Sequence, residues 1–225
     1  MFSEILINSN QREIRVALME NNQVSELFIE HKTNKGIVGN IYLGRVTKIL
    51  PGMQVAFVDI GMEKAGFLYV ADIDAVDILG LDGDIDPPPL TDETEEPFAG
   101  KPGRPNHGIR IQDILQEGQE ILVQVAKNPL GTKGARITNY ITLPGRYLVY
   151  MPTVNHISVS RRIEEEEEKE RLKTLLGEIG NPGEGYIVRT AGQDATRADF
   201  DSDLKFLHRL WENLKKQSEN LSAPH

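Results

Sequence analysis

The sequence predicts an α+β fold in which the two ends of the chain form one domain and the middle forms two insertions. Residues 4–32 alternate between apolar and polar side chains in the manner of strands. Near the C-terminus, a helical pattern places one apolar face on Phe200, Leu204, Leu207, Trp211 and Leu214. Because such a face needs a sheet to cover it, we expect it to pack on the first three strands and on a strand at 186–188.

The first 73 residues favour two strand-rich units. The segments EILIN, REIRVALME and QVSELFIEH are separated by turn signals at Ser9-Asn10 and Asn21-Asn22, which predicts a small antiparallel meander. A second unit begins at Gly39 and contains IYLGRVTKIL, MQVAFVDIG and AGFLYVADI. Its turns fall at Pro51-Gly52 and at 61–64.

An acidic segment interrupts the strands. Residues 72–100 carry ten acids and neither Lys nor Arg, and residues 87–89 are three prolines. We expect a long mobile loop at about 74–106, because it offers little apolar surface to offset the entropy of ordering. This segment accounts for the net charge of −9, whereas residues 101–162 hold nine Lys and Arg against three acids. The net charge therefore does not exclude a basic surface.

Regular structure is predicted again from IQDIL, a short helix, which leads to a strand at 120–126. Two strand-like stretches, ARITNYITL and GRYLVYMP, meet at Pro144-Gly145. The segment SRRIEEEEEKERLKTLLGEIG predicts a helix with Ser160 as a candidate cap and its glutamates in the first turns, where negative charge suits the helix dipole. YIVRTAG predicts a strand and a turn, and the apolar-faced helix follows.

Composition excludes several classes of protein. The chain has no cysteine, so disulfides and thiolate metal sites are excluded, and a cytoplasmic protein is expected. No apolar run approaches the roughly 20 residues of a membrane span, and the N-terminus lacks the pattern of a signal peptide.

Four features of the sequence have more than one interpretation when each is considered alone. Phe57 and Phe67 lie on consecutive strands, where they could stack nucleic-acid bases or belong to the core. Arg189 and Thr190 could hold a phosphate, or Arg189 could be a solvated residue at a strand end. Arg161 and its neighbour could bind an anion or pair with glutamates of the next helix, and the glutamates at 164–168 are typical of a solvated helix face.

Residues 39–73 resemble the RNA-binding OB-fold of the ribosomal S-one type, a pattern that favours a stacking role for the two phenylalanines. PGMQVAFVDIG, GTKGARITNYITLPGRYLVYMP, ISVSRRIE and YIVRTAG, in this order, resemble the ribonuclease E/ribonuclease G family of bacterial endoribonucleases. The resemblance runs from about residue 1 to 220, apart from the acidic segment. LPGRYLVYMPTVNH is more similar to the ribonuclease G branch.

The resemblance implies an RNase H-like subdomain split between residues 1–38 and a truncated part at 184–225. An inserted OB-fold β-barrel would occupy 39–127, and a small 5′-sensor domain would occupy 128–183. The implied binding residues are, for a 5′-phosphate, Arg189, Thr190, Gly145, Val149 and Arg161, and for the RNA strand, Phe57, Phe67 and Lys133.

The resemblance also implies a hydrolase that cuts single-stranded RNA with a 5′-monophosphate end, in rRNA maturation and mRNA turnover. Family members use Mg²⁺ held by aspartates of a downstream subdomain, and Zn²⁺ on cysteines that joins protomers into homo-oligomers. Neither site can be placed here, since the acids Asp59, Asp199, Asp201 and Asp203 make no convincing metal pair. We therefore expect an N-terminal fragment that carries recognition without catalysis and whose residues bind no metal.

Two other interpretations stay open on the sequence. The chain could be a self-contained, non-catalytic RNA-binding regulatory module, which explains the missing acids equally well. Alternatively, the OB-fold could bind protein rather than RNA.

Overall fold

The computed structural model describes residues 3–31, 36–73 and 110–225. The chain divides into two compact units, Met1–Ile37 and Val38–His225. The predicted mobile acidic loop at about 74–106 lies outside the described residues.

The first unit contains an antiparallel meander of three strands, β1 (Ser3–Ser9), β2 (Glu13–Glu20) and β3 (Gln23–His31). The side chain of Asn10 closes the first turn by accepting the N–H groups of Arg12 and Glu13. Asn21 and Asn22 form the second turn with positive φ angles of 50° and 63°. Asparagine tolerates this conformation, so the meander predicted from the turn signals is confirmed.

A closed five-stranded barrel opens the second unit, with the strand order β4-β5-β6-β8-β7. Alternate residues fill its interior, and Ala56, Val58, Leu68 and Ile137 have no exposed surface. The barrel is compatible with an OB-fold. Its strands are β4 (Ile41–Leu50), β5 (Val55–Asp59), β6 (Gly66–Tyr69), β7 (Glu120–Lys127) and β8 (Arg136–Thr138), and a short helix, α1 (Ile111–Ile114), precedes β7.

A four-stranded sheet and two helices complete the second unit. The sheet has the order β11-β12-β10-β9, in which β11 and β12 are parallel and the other pairs are antiparallel. Leu148, Tyr150, Tyr186 and Val188 share one face of this sheet and form a core with both helices. The elements are β9 (Leu143–Pro144), β10 (Leu148–Met151), β11 (Ile157–Val159), α2 (Glu166–Ile179), β12 (Gly185–Val188) and α3 (Arg197–Glu219).

The predicted apolar face of α3 is confirmed, since Phe200, Leu204 and Leu207 are buried in this core and Trp211 packs against it. The strand predicted at 186–188 contributes Tyr186 and Val188 to the same core, but it does not share a sheet with the first three strands as expected. β12 pairs with β10 and β11, whereas β1, β2 and β3 form a separate sheet. An apolar strand pattern predicts burial but carries no information about the partner strand. The split RNase H-like subdomain and the 5′-sensor boundaries remain predictions.

Ser160 does not cap a helix. α2 begins at Glu166, with Glu165 at its N-cap position and no side-chain cap. The N–H of Ser160 instead donates to the carbonyl of Val188, which extends the pairing of β11 with β12 by one residue. A capping box is found on α3, between Thr196 and Asp199. None of the helices in the described ranges is long and apolar enough to cross a membrane.

Candidate nucleic-acid interface

Three chain segments meet at one edge of the four-stranded sheet. The parallel strands β11 and β12 end at this edge, and the antiparallel strand β10 begins there. We call this group of residues the arginine edge. Its members are Gly145, Arg146 and Tyr147 before β10, Ser160 and Arg161 after β11, and Arg189 and Thr190 after β12.

Arg189 binds the turn at 145–147 through both its main chain and its side chain. Its N–H donates to the carbonyl of Tyr147 at 2.8 Å, and its Nη1 donates to the carbonyl of Gly145 at 2.6 Å. The guanidinium group is exposed and carries five N–H donors. Within the described ranges, the carbonyl of Gly145 is its one acceptor, so the other donors can engage a ligand.

Thr190 lies beside Ser160, with their hydroxyl oxygens 3.0 Å apart. Both residues follow parallel strands, which explains why side chains 30 positions apart in sequence meet. Thr190 starts a short 3-10 turn that ends at Gly192. A Cβ atom on Gly192 would lie 2.7 Å from Cγ1 of Val188 and 3.1 Å from the carbonyl oxygen of Tyr147. The small residues of the TAG motif therefore let this turn approach the one at 145–147.

Gly145 lies at the edge itself, and Val149 lies further along β10. The N–H of Gly145 donates to the carbonyl of Leu148 at 2.7 Å. Val149 pairs with Ile187 and is half-buried, on the face opposite the helices. The structure thus brings Gly145, Arg189 and Thr190 together and places Val149 next to them along the strand.

Arg161 is exposed and forms no ion pair with a described residue. Glu166, one of its candidate partners, pairs with Lys169 at 2.6 Å.

Sequence reasoning missed Arg146, although it lies inside the LPGRYLV motif. Arg146 is exposed, and its guanidinium carbon lies 5.1 Å from the centre of the Tyr147 ring. The sequence signal that could have identified Arg146 is its position directly after Gly145.

The barrel carries a second candidate surface. Strand pairing aligns one residue from each of the five strands across its outside, and we call this set the barrel row. Paired neighbours project to the same face of a sheet. The row reads Lys48, Phe57, Phe67, Arg136 and Lys127, in the order in which the strands pair.

The two phenylalanines of the barrel row are half-buried on the outer surface, whereas Ala56, Val58 and Leu68 beside them fill the interior. The alternative that they belong to the barrel core is therefore wrong. Their side-by-side rings can offer apolar faces to unstacked bases. Sequence reasoning did not identify Lys48 or Lys127, because the strand register shifts just before each of them and only the paired strands show the alignment.

Arg136 of the barrel row forms an ion pair with a buried carboxylate. Its guanidinium donates to both carboxylate oxygens of buried Asp72, at 2.9 Å and 3.0 Å. Burial raises the pKa of the Asp72 carboxyl above its ordinary value, and the hydrogen bonds from Arg136 counteract part of that rise. Arg136 also lies 5.3 Å from the ring centre of Tyr69, whose ring meets that of Phe67 edge to face at 5.6 Å. Its charge is thus paired within the protein.

Lys133 lies in the loop between β7 and β8 and is exposed. Its N–H donates to the carbonyl of Leu130 at 3.1 Å, and Lys64 Nζ donates to the carbonyl of Gly131 at 2.9 Å. Two residues further on, the carbonyl of Ala135 accepts the N–H of Phe67. Lys133 therefore lies three residues before Arg136 of the barrel row, in a loop held by main-chain hydrogen bonds.

Three of the four acids considered as metal ligands have other partners, and Asp201 forms no hydrogen bond with a described residue. Asp59 accepts the N–H of Gly61, Asp199 belongs to the capping box, and Asp203 accepts three main-chain N–H groups. In residues 3–31, 36–73 and 110–225, no three His, Asp or Glu side chains converge as a metal site would require. That the residues of this chain bind no metal stays a prediction.

Comparison with known proteins agrees with the motif resemblance. The model of the "Ribonuclease E/G family" matches residues 142–225, which include the whole arginine edge. Ribonuclease G of Haemophilus influenzae is 47% identical over 209 residues, and ribonuclease G of Escherichia coli K12 is 42% identical over 219 residues. The chain carries a ribonuclease E/G family domain. Ribonuclease E of Haemophilus influenzae is 39% identical over 226 residues, so the similarity to ribonuclease G is higher, as LPGRYLVYMPTVNH predicted.

The chain matches these family members along almost all of its own length but along part of theirs. The alignments cover 92% and 97% of this chain against 39% and 41% of the two ribonucleases G. The alignment with ribonuclease E covers 98% of this chain and 22% of that protein. The chain therefore spans about two fifths of the length of the ribonucleases G that it matches.

Proposed function

We propose that this chain is the RNA-recognition part of a single-strand-specific endoribonuclease of the ribonuclease E/G family, and that it senses a 5′-monophosphate. The barrel row holds the RNA strand, and the arginine edge binds its 5′ end. The observation that carries the proposal is the exposed guanidinium of Arg189, hydrogen-bonded to the carbonyl of Gly145, at the same sheet edge as the paired hydroxyls of Thr190 and Ser160.

A 5′-monophosphate differs from an internal phosphodiester in ways that this edge can detect. The monoester carries a charge of about −1.5 to −2 near pH 7 and three terminal oxygens. A guanidinium group binds two such oxygens through parallel N–H donors, and a hydroxyl can donate to the third. A 5′-hydroxyl end offers no such charge.

We assign binding, rather than cleavage, to the described residues, because three of their four candidate carboxylates are engaged in structural hydrogen bonds. For the whole protein, the family suggests hydrolysis of RNA in rRNA maturation and mRNA turnover, in the cytoplasm. It also suggests Mg²⁺, Zn²⁺ and a homo-oligomer. These features remain proposals, since the chain spans only part of the related proteins.

The test compares two RNAs of one sequence, with a 5′-monophosphate or a 5′-hydroxyl, by fluorescence anisotropy. Arg189→Ala should remove the preference for the monophosphate and leave binding of the 5′-hydroxyl RNA unchanged. Hydrogen bonds to charged groups contribute about 1.5–3 kcal/mol, so the affinity for the monophosphate RNA should fall roughly 10- to 150-fold. The matched control is Arg209→Ala on α3, an exposed arginine without a hydrogen-bonded partner in the described ranges.

Equal losses on both RNAs, or no loss on either, would contradict the sensor assignment. The same samples also test the assignment of binding without cleavage, because both RNAs should remain intact when Mg²⁺ is added. Magnesium-dependent cleavage that persists after repurification would overturn that assignment.

A further inference from the structure

A buried carboxylate holds the turn that Arg189 contacts. Asp203 lies on α3 and is 9% exposed. Its Oδ1 accepts the N–H of Arg146 at 3.0 Å, and its Oδ2 accepts those of Tyr147 at 2.8 Å and Leu148 at 3.0 Å. An ionised carboxylate only accepts hydrogen bonds, so it suits three consecutive N–H donors that leave the sheet pairing at this turn.

Two peptide groups of the turn connect Asp203 to Arg189, because each binds Asp203 through its N–H and Arg189 through its carbonyl. The peptide that joins Gly145 to Arg146 donates its N–H to Asp203 Oδ1, and its carbonyl accepts Arg189 Nη1 at 2.6 Å. The peptide that joins Tyr147 to Leu148 donates to Asp203 Oδ2, and its carbonyl accepts the Arg189 N–H at 2.8 Å. In a planar trans peptide the N–H and C=O groups point in opposite directions. Each of these two peptides therefore links the carboxylate on one side to the arginine on the other.

Close packing keeps this arrangement rigid. A Cβ atom on Gly145 would lie 2.6 Å from both carboxylate oxygens of Asp203. Hydrogen bonds in series polarise one another, so a carboxylate at the N–H end makes the carbonyl at the other end a better acceptor. The orientation of the Arg189 guanidinium thus depends on Asp203, although the two side chains do not share a hydrogen bond in the described structure.

We infer that Asp203 is a positioning residue for the 5′-phosphate site, acting on Arg189 through the 145–146 and 147–148 peptides. The inference rests on the proposed function of the arginine edge. Asp203 also anchors the turn to α3, but α3 is independently held by Phe200, Leu204 and Leu207 in the core and by its capping box. The loss of the carboxylate should therefore misalign the phosphate site without unfolding the helix.

The test is Asp203→Asn, which keeps the side chain's shape but turns an amide N–H₂ group toward main-chain donors. We expect at least a ten-fold loss of the preference for 5′-monophosphate over 5′-hydroxyl RNA, because small misplacements of a positioned group have large effects. Binding of the 5′-hydroxyl RNA should stay unchanged. In NMR spectra of the free protein, the amide protons of residues 146–148 should move upfield. The matched control is Asp201→Asn, a half-buried acid two positions away on the same helix that forms no hydrogen bond with a described residue.

The outcomes separate the two proposals. A wild-type protein without a preference for the monophosphate would overturn the sensor function itself. A wild-type preference that Asp203→Asn retains, with shifted amide protons, would overturn the positioning role alone. If Asp203→Asn does not fold, Gly145→Ala decides, because its added methyl group presses on the carboxylate. A folded Gly145→Ala protein that keeps the full preference would also overturn the inference.

Discussion

The barrel row predicts a large effect of removing one aromatic ring from the protein's surface. Phe57→Leu and Phe67→Leu each keep an apolar side chain but remove the flat face on which a base can stack. The two residues are direct cross-strand partners and are half-buried, so leucine retains most of their contact with the barrel. Substitutions of this kind usually cost less than about 1.5 kcal/mol of stability, and the variants should remain folded.

The expected loss in affinity follows from the free energy of stacking one base on each ring. Stacking of a base on an aromatic side chain contributes about 1–3 kcal/mol. Because about 1.4 kcal/mol corresponds to a factor of ten, each variant should bind single-stranded RNA roughly 5- to 150-fold more weakly. If the rings only stabilise the barrel, the substitutions would lower the melting temperature and leave the affinity of the folded protein unchanged.

The assay is an anisotropy titration with a 5′-hydroxyl RNA, so that the arginine edge contributes little. Phe206→Leu on α3 is the matched control, since Phe206 is 60% exposed and lies outside both candidate surfaces. Wild-type affinity in folded Phe57→Leu and Phe67→Leu proteins would refute the stacking argument. A similar loss in Phe206→Leu would show that the effect is not specific to the barrel row.

Two further predictions concern stability. Arg136→Met leaves the buried Asp72 carboxylate without its cation and should lower the free energy of unfolding by about 3–5 kcal/mol at neutral pH, measured by urea denaturation. Because burial raises the pKa of Asp72, this deficit should shrink as the pH falls and the carboxyl is protonated, and a deficit that grows in acid would contradict the argument. Thr196→Ala removes the capping box of α3 and should cost about 0.5–2 kcal/mol in the same measurement. The hydrogen bonds from Thr196 lower the pKa of Asp199, so the part of the box that depends on this carboxylate is present at neutral pH and should be lost as the pH falls through that lowered pKa. The bond from the Asp199 N–H to Thr196 should remain, so the difference between wild type and variant should shrink in acid, and an unchanged difference would count against the argument.

Local patterns in the sequence predicted most of the secondary structure. The asparagine turns of the meander and the apolar face of α3 depend on neighbouring residues along the chain, and the structure confirms both. Ser160 shows where such local rules fail. A serine before a glutamate-rich helix is typical of a cap, but Ser160 extends the pairing with Val188, its hydroxyl lies against Thr190, and α2 begins six residues later.

The sequence by itself determined the family, the order of the motifs and the residue types at the proposed phosphate site, because motif order and turn chemistry are properties of the linear chain. The tertiary structure alone decided which residues meet. Lys48 and Lys127 join one barrel row through strand register, and β12 lies between β10 and β11 instead of joining the first three strands. Asp203 acts on Arg189 only through a turn that precedes it by more than 50 residues, and hydrogen bonds between such distant main-chain groups leave no local pattern in the sequence.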